Sequence, residues 1–219
     1  MTKKEKVLFM LRFFKEKYGE PECTLSYSDP FQLLVATILA AQCTDARVNM
    51  VTPFLFKKYP DPKAFAESDI YELEEAVKST GFYHNKAKNI KACAIKLLAD
   101  FDGVVPDNME DLLSLPGVGR KTANLILGDI FGKPAMVIDT HAKRITKLIG
   151  LTKNTDPTKV EMDMRKIVPP NDGNDFCHYL VMHGRALCVA NRPKCSECGL
   201  GVICDFAKAE VKNGRKDKA

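Results

Sequence analysis

Cys188, Cys195, Cys198 and Cys204 form a C-x6-C-x2-C-x5-C array near the end of this 219-residue chain. A single free cysteine packs well as a small buried hydrophobe. Four in so short a stretch, interrupted by Arg192, Pro193, Lys194 and Gly199, are too polar and broken to form a core strand. Short loops let several thiolates converge on one centre, and thiolates need a cation to offset their charge. The array therefore predicts a terminal segment organised by metal, with zinc and an iron–sulfur cluster both open.

Disulfides are the competing use of cysteine. Met1 is followed by Thr2-Lys3-Lys4-Glu5-Lys6, and no apolar stretch of signal-peptide form comes after it. Eight cysteines without a secretory signature predict a reducing, intracellular setting. The longest uncharged stretch, Pro30 to Thr44, falls short of the roughly 20 apolar residues of a membrane span and predicts a buried core helix. The chain is long enough for one large domain or two small ones. Its net charge of +5, from 33 Lys+Arg against 28 Asp+Glu, is compatible with nucleic acid but is no more than many solvated surfaces carry.

Helix signals follow one another along the chain, and no segment alternates as a strand would, so the expected class is all-α. Lys4–Tyr18 carries Val7, Leu8, Leu11 and Phe14 on one face and stops at Gly19-Glu20-Pro21. Ser28-Asp29-Pro30 opens the next helix. Further helices are expected over 45–58 with Pro53 inside, from Ser68-Asp69 to Gly81 with Leu73 and Val77 inward, and over 85–101 with Ala87, Ile90, Ala94, Leu97 and Leu98 on the apolar stripe. Asp107 and Glu110 resemble a capping box before Leu112-Leu113. Helices over 120–131, 139–150, from Asp156-Pro157, and over 175–187 complete the pattern. The residues after Ala207 are basic and polar, as a frayed tail would be.

Two segments carry chemistry. In Leu115-Pro116-Gly117-Val118-Gly119-Arg120-Lys121-Thr122-Ala123, the glycines allow a tight turn that brings bare amides to the start of a helix, where the dipole favours a phosphate. Amides carry no base code, so such a contact positions DNA without reading its sequence. Lys121 falls in the first turn beside Arg120. Dipole and neighbouring cation both disfavour the ammonium, burial would add to this, and a neutral amine can form a Schiff base. The competing role is a point charge on phosphate. Asp139, after Met136-Val137-Ile138, reads as an ordinary N-cap or as a carboxylate stabilising a cationic sugar carbon and moving protons. His141 and His183 read as structural or surface residues.

Together, the string at 115–123, Ile138-Asp139-Thr140-His141-x-x-Arg144 and the cysteine array resemble the endonuclease III family. These are helix-hairpin-helix DNA glycosylases that also act as AP lyases. The likeness runs from Lys4 to Phe206, with the motifs in the family's order and separation. It implies a two-domain fold: a six-helix domain over 23–133 carrying the hairpin, a cluster domain from 1–22 plus 134–207, and a basic flexible tail over 208–219. It implies a 4Fe–4S cluster on Cys188, Cys195, Cys198 and Cys204, with Lys121 as nucleophile and Asp139 as catalytic carboxylate. Gln42 matches the residue that enters the duplex beside the vacated site. Phe82, in Gly81-Phe82-Tyr83, matches the wedge, where the family usually has an aliphatic side chain; by itself Phe82 reads as core. Gly117, Val118 and Gly119 would contact DNA, as would Arg192 and Lys194 between the first two cysteines.

The implied substrate is double-stranded DNA with damaged pyrimidines or abasic sites, bound by a monomer. The implied reaction is base removal through a lysine Schiff base, then β-elimination 3′ to the abasic site. Adenine-removing relatives lack a lysine at the hairpin position and carry an extra C-terminal domain, and thymine-mismatch relatives usually place tyrosine there. Lys121 and Thr140-His141 favour the lyase branch. A non-catalytic DNA-binding module would need no carboxylate such as Asp139. Electron transfer would not require a DNA hairpin.

Overall fold

The computed structural model describes residues 1–212, and every regular element among them is helical. The chain divides into two compact units, Cys23–Gly132 and Met1–Glu22 together with the chain from Lys133 onward. The tail expected from residue 208 is helical as far as Lys212, and residues 213–219 lie outside the described residues.

Helix α1 (Lys3–Tyr18) opens the chain with a complete capping box between Thr2 and Glu5. Its buried stripe is Val7, Met10 and Phe14, with Lys6 beside it. Leu8, expected on this face, is 50% exposed. The stripe steps by three and four from Val7, and Leu8 lies a further 100° around the helix.

The Cys23–Gly132 unit is built around α2 (Pro30–Leu39), in which Phe31 and every residue from Leu33 to Leu39 are buried. Asp29 caps it by accepting from the Gln32 amide, and Pro30 occupies the first turn. Helices α3 (Asp45–Lys58), α6 (Tyr83–Asp100) and α8 (Arg120–Asp129) pack against it. Each Leu, Ile or Val so enclosed stabilises the fold by about 1.5–3 kcal/mol relative to exposure. Helices α4 (Pro62–Glu67) and α5 (Ile70–Val77) pack on α6, and α7 (Met109–Ser114) packs on α8.

Seven helices stand where six were expected, and α4 is the addition. Asp61 accepts from the Ala64 amide ahead of Pro62, the same Asp-Pro start that opens α2, but six residues are too few to show a periodic stripe. Asn108, not Asp107, caps α7. On α6 the buried face is Lys86, Ala87, Ile90, Cys93, Ala94 and Leu97, whereas Leu98 is turned outward.

In the other unit, α9 (Thr140–Ile149), α10 (Pro157–Arg165), α11 (Gly173–Ala186) and α12 (Asp205–Lys212) join α1. Phe14 anchors α1 to α11, its ring centroid 5.3 Å from His183, 5.6 Å from Tyr179 and 6.5 Å from Phe176. Helix α11 lies so close to α9 that a β-carbon at Gly184 would come within 2.3 Å of His141 Nδ1. The Lys6 ammonium donates to the Ile149 carbonyl at 2.8 Å and to Asp205 at 2.7 Å, joining α1 to the ends of α9 and α12.

Phe14→Ala should cost about 3–5 kcal/mol in denaturant unfolding, since it empties the α1–α11 seam. Leu8→Ala should stay within about 0.5 kcal/mol. Comparable losses at both positions would contradict the inward face assigned to α1.

Candidate active site and thiol-lined cavity

The turn between α7 and α8 is closed by hydrogen bonds from the Leu115 amide to Leu112 O (3.2 Å) and from the Val118 amide to Leu115 O (3.1 Å). Gly117 has φ +79°, and a β-carbon there would lie 2.9 Å from Asn89 Cβ on α6. Conformation and space therefore both require glycine. Val118 is buried, so its side chain faces the protein while Gly117 and Gly119 are exposed. Gly119 is the N-cap of α8 and supplies no side-chain oxygen to the first-turn amides. An uncapped N-terminus of this kind combines spare donors with the positive end of the helix dipole. Lys121 stands exposed in that first turn, so the burial considered from the sequence is not found.

Gln42 and Phe82 share an unusual backbone. Three non-glycine residues among those described have positive φ, and these are two of them, at +53° and +49°. Such conformations cost on the order of 1–3 kcal/mol each and persist where the surroundings over-determine them. Gln42 follows the end of α2 and is exposed. Phe82 is the N-cap of α6 and is 62% exposed, not the core residue its composition suggests.

Asp139 is the N-cap of α9, with Oδ1 accepting from the Ala142 amide at 2.7 Å. This is the ordinary role weighed for it, and it also fixes the direction of the half-buried carboxylate. One turn along α9, the Arg144 guanidinium donates to the Cys188 carbonyl at 2.6 Å. That bond fastens the first residue of the cysteine array to the helix begun by Asp139.

The array folds back on itself through a hydrogen bond from the Lys194 amide to Leu187 O at 2.9 Å. Arg192 and Lys194 are exposed on this loop. None of the eight cysteines is joined in a disulfide. Cys188, Cys195, Cys198 and Cys204 line one cavity with apolar walls from Ile145, Leu148, Ile149 and Leu187. Burial, reinforced by the neighbouring cysteines and opposed by Arg144, pushes the Cys188 thiol up to about 11. Burial also raises Cys198. Burial thus favours the thiol form of Cys188 and Cys198, and a cation bound by them would have to offset that burial. Among the described residues, no three His, Cys, Asp or Glu side chains gather tightly enough to hold a single ion.

Three side chains beside these features make contacts that the sequence alone does not show, His183 among them in the structural role expected for it. His183 is buried, with Nδ1 2.9 Å from the Tyr18 hydroxyl and Nε2 3.5 Å from Cys198 Sγ. In the sequence Arg144 is only the last residue of the 138–144 motif. Lys86 is a buried lysine on α6. The signal for Lys86 was available: Lys86, Ile90, Cys93 and Leu97 follow the helical period, which puts the lysine on the apolar stripe.

The family of HhH-GPD superfamily base excision DNA repair proteins matches residues 35–170. Endonuclease III of Synechocystis sp. is 50% identical over 209 residues, 95% of each chain. The Bacillus subtilis protein of that name is 40% identical over 98% of each chain, and the Escherichia coli one 37% identical over 93% of this chain and 96% of its own. A non-covalent complex of endonuclease III with DNA matches with a TM-score of 0.91 at 37% identity, covering 97% of this chain and 100% of that one. A trapped covalent intermediate of endonuclease III on DNA matches with the same score and identity, covering 96% and 100%. The chain belongs to the helix-hairpin-helix superfamily of base excision DNA repair proteins. Within that superfamily its place is in the endonuclease III family.

Asparagine caps a helix about as well as aspartate, whereas alanine does not. Asp139→Asn should therefore unfold at the wild-type denaturant midpoint, and Asp139→Ala should lose about 1 kcal/mol. Equal destabilisation of both would mean that the charge, not the cap, stabilises α9.

Proposed function

We propose that Lys121 is the nucleophile and Asp139 the catalytic carboxylate of this enzyme, a bifunctional DNA glycosylase and AP lyase of base excision repair. The observation that carries the reading is the amine of Lys121 standing exposed in the first turn of an uncapped helix. Endonuclease III has been trapped as a covalent intermediate on DNA, and a primary amine is the group at this hairpin able to form such a bond.

DNA is held first by its backbone. The amides at Gly117 and Gly119, the α8 N-terminus and the Arg192 and Lys194 side chains contact phosphates, giving sequence-independent binding. The target is an oxidised pyrimidine, extruded because its sugar carbon is inaccessible in the stack. Gln42 and Phe82 enter the duplex to fill and wedge open the vacated step.

The Lys121 lone pair then attacks C1′ as the glycosidic bond breaks and the base departs with the electron pair. Asp139, its carboxylate aimed by the Ala142 amide, stabilises positive charge at C1′ and relays the proton lost by the amine. The C1′–O4′ bond then breaks, O4′ takes up a proton, and the nitrogen lone pair closes onto C1′ to give the protonated Schiff base. Its C2′ proton is acidic, and removing it expels the 3′ phosphate by β-elimination, cutting the strand 3′ to the abasic site.

Cys188, Cys195, Cys198 and Cys204 would hold a 4Fe–4S cluster, whose contribution when bound is structural cross-linking of the terminal loop. A cavity lined by four thiols fits such a group. By this reading Arg192 and Lys194 reach phosphate because the loop between the first two ligands is pinned at both ends.

Borohydride reduction in the presence of a duplex containing thymine glycol should give a covalent protein–DNA adduct. Lys121→Gln should abolish both adduct and strand cleavage while keeping affinity for undamaged duplex. An adduct persisting in that variant would move the nucleophile elsewhere. Cys198→Ser should yield protein depleted of iron and lacking the visible absorption of the wild type. Stoichiometric zinc without iron in anaerobically prepared wild-type protein would exclude the cluster.

A further inference from the structure

Lys86 is 4% exposed, and its ammonium donates to two backbone carbonyls, Leu39 O at 2.8 Å and Thr80 O at 2.7 Å. Leu39 is the last residue of α2, and Thr80 ends the short 3-10 turn Lys78–Thr80. Both carbonyls stand where a helix stops, among the acceptors left without an intrahelical partner. Three residues beyond Leu39 is Gln42, and two beyond Thr80 is Phe82, the two strained exposed residues described above. The Lys86 amide in turn donates to Phe82 O at 3.1 Å. One residue thus reaches the Phe82 loop through main chain and side chain, and the Gln42 loop through the same ammonium. All of this lies within the Cys23–Gly132 unit.

We infer that Lys86 is a positioning residue that ties the Gln42 and Phe82 loops into one rigid two-pronged element, so that both side chains are pre-set for insertion into DNA. The inference rests on the proposal that these two residues enter the duplex. Burial of an ammonium is unfavourable, and desolvation lowers the Lys86 pKa. Such a group persists where its hydrogen bonds are needed. A lysine suits the task because its donors spread tetrahedrally from one atom and can meet two carbonyls arriving from different segments. A neutral side chain of the same length would fill the space but leave each loop end to move separately. Pre-setting matters because two strained backbones ordered only on binding would subtract their ordering cost from the affinity for the distorted duplex.

The test compares binding to a duplex containing a tetrahydrofuran abasic analogue with binding to the same duplex undamaged. The double variant Gln42→Ala, Phe82→Ala is measured first and should reduce the preference for the abasic analogue. If it does not, the duplex-entry reading fails and the inference falls with it. Lys86→Met should then lower the preference roughly tenfold or more while leaving affinity for undamaged duplex unchanged, since misplacing a positioned group by about 1 Å can cost a factor of 100. Added to the double variant, Lys86→Met should cause no further loss, because its effect passes through those two side chains. Equal weakening on both duplexes, or a full additional loss in the double-variant background, would reduce Lys86 to a general stabilising residue and overturn the inference. Should the methionine variant not fold, Lys86→Arg is read instead. It keeps the charge but presents a planar fork in place of a tetrahedral donor, and should lose part of the preference with undamaged binding intact. Wild-type preference in a folded Lys86→Arg would likewise overturn the tie.

Discussion

Helix α2 has no polar face, and the unit that carries the hairpin depends on that. A helix buried on every side cannot be placed by amphipathic registry with one neighbour. It must be enclosed, and α3, α6 and α8 enclose it. Its ends are consequently the points at which the backbone returns to solvent, Asp29 at the start and the Ala40–Thr44 turn at the finish. The strained Gln42 sits on that exit, next to the most enclosed helix of the unit. Helix α8, which bears Lys121, packs on the same core.

Helix ends recur wherever chemistry is proposed. Gly119 and Lys121 begin α8, Phe82 caps α6, Asp139 caps α9, and Cys188 follows the end of α11. Helix interiors satisfy their own amides and carbonyls; the terminal turns retain groups to offer. At α8 the offered groups are amides without a side-chain cap, which suits an anion. At α9 the first-turn amide is spent on Asp139, and the return is an oriented carboxylate. At the ends of α2 and the 3-10 turn before α6, spare carbonyls are taken by Lys86. The same unsatisfied backbone serves ligand binding, side-chain aiming and loop tethering.

The thiol-lined cavity shows a second economy. Its floor is the α9–α11 pair, brought together by the bare backbone of Gly184, and its rim is a loop too short and polar to have a core. Phe14 holds α1 against α11 through His183, and His183 reaches Cys198. Packing therefore runs unbroken from the first helix to the thiols. If these thiols hold the proposed cluster, its loss would remove the centre around which the chain from Leu187 to Cys204 is wound.

Much of this was legible in the chain before any coordinates. Asp29-Pro30, Asp69, Asp156-Pro157 and Gly150 each punctuate a helix where the structure has one, because capping and proline chemistry act over a few residues. The Leu115–Ala123 string, Asp139 and the cysteine array are local patterns for the same reason. Short α4 escaped because its six residues cannot display a period. Leu8 and Leu98 were placed on the wrong faces because apolar identity does not say which side a neighbour will cover. The exposure of Phe82 and Lys121, the left-handed backbone of Gln42 and Phe82, and the burial of Lys86 were decided by tertiary structure alone. The Lys86 ammonium lies in the core because two backbone carbonyls meet it there, one of them Leu39 O from 47 positions away in the chain. Local chemistry wrote the helix ends into the sequence; which of those in the Cys23–Gly132 unit would meet depended on the packing that closed around α2.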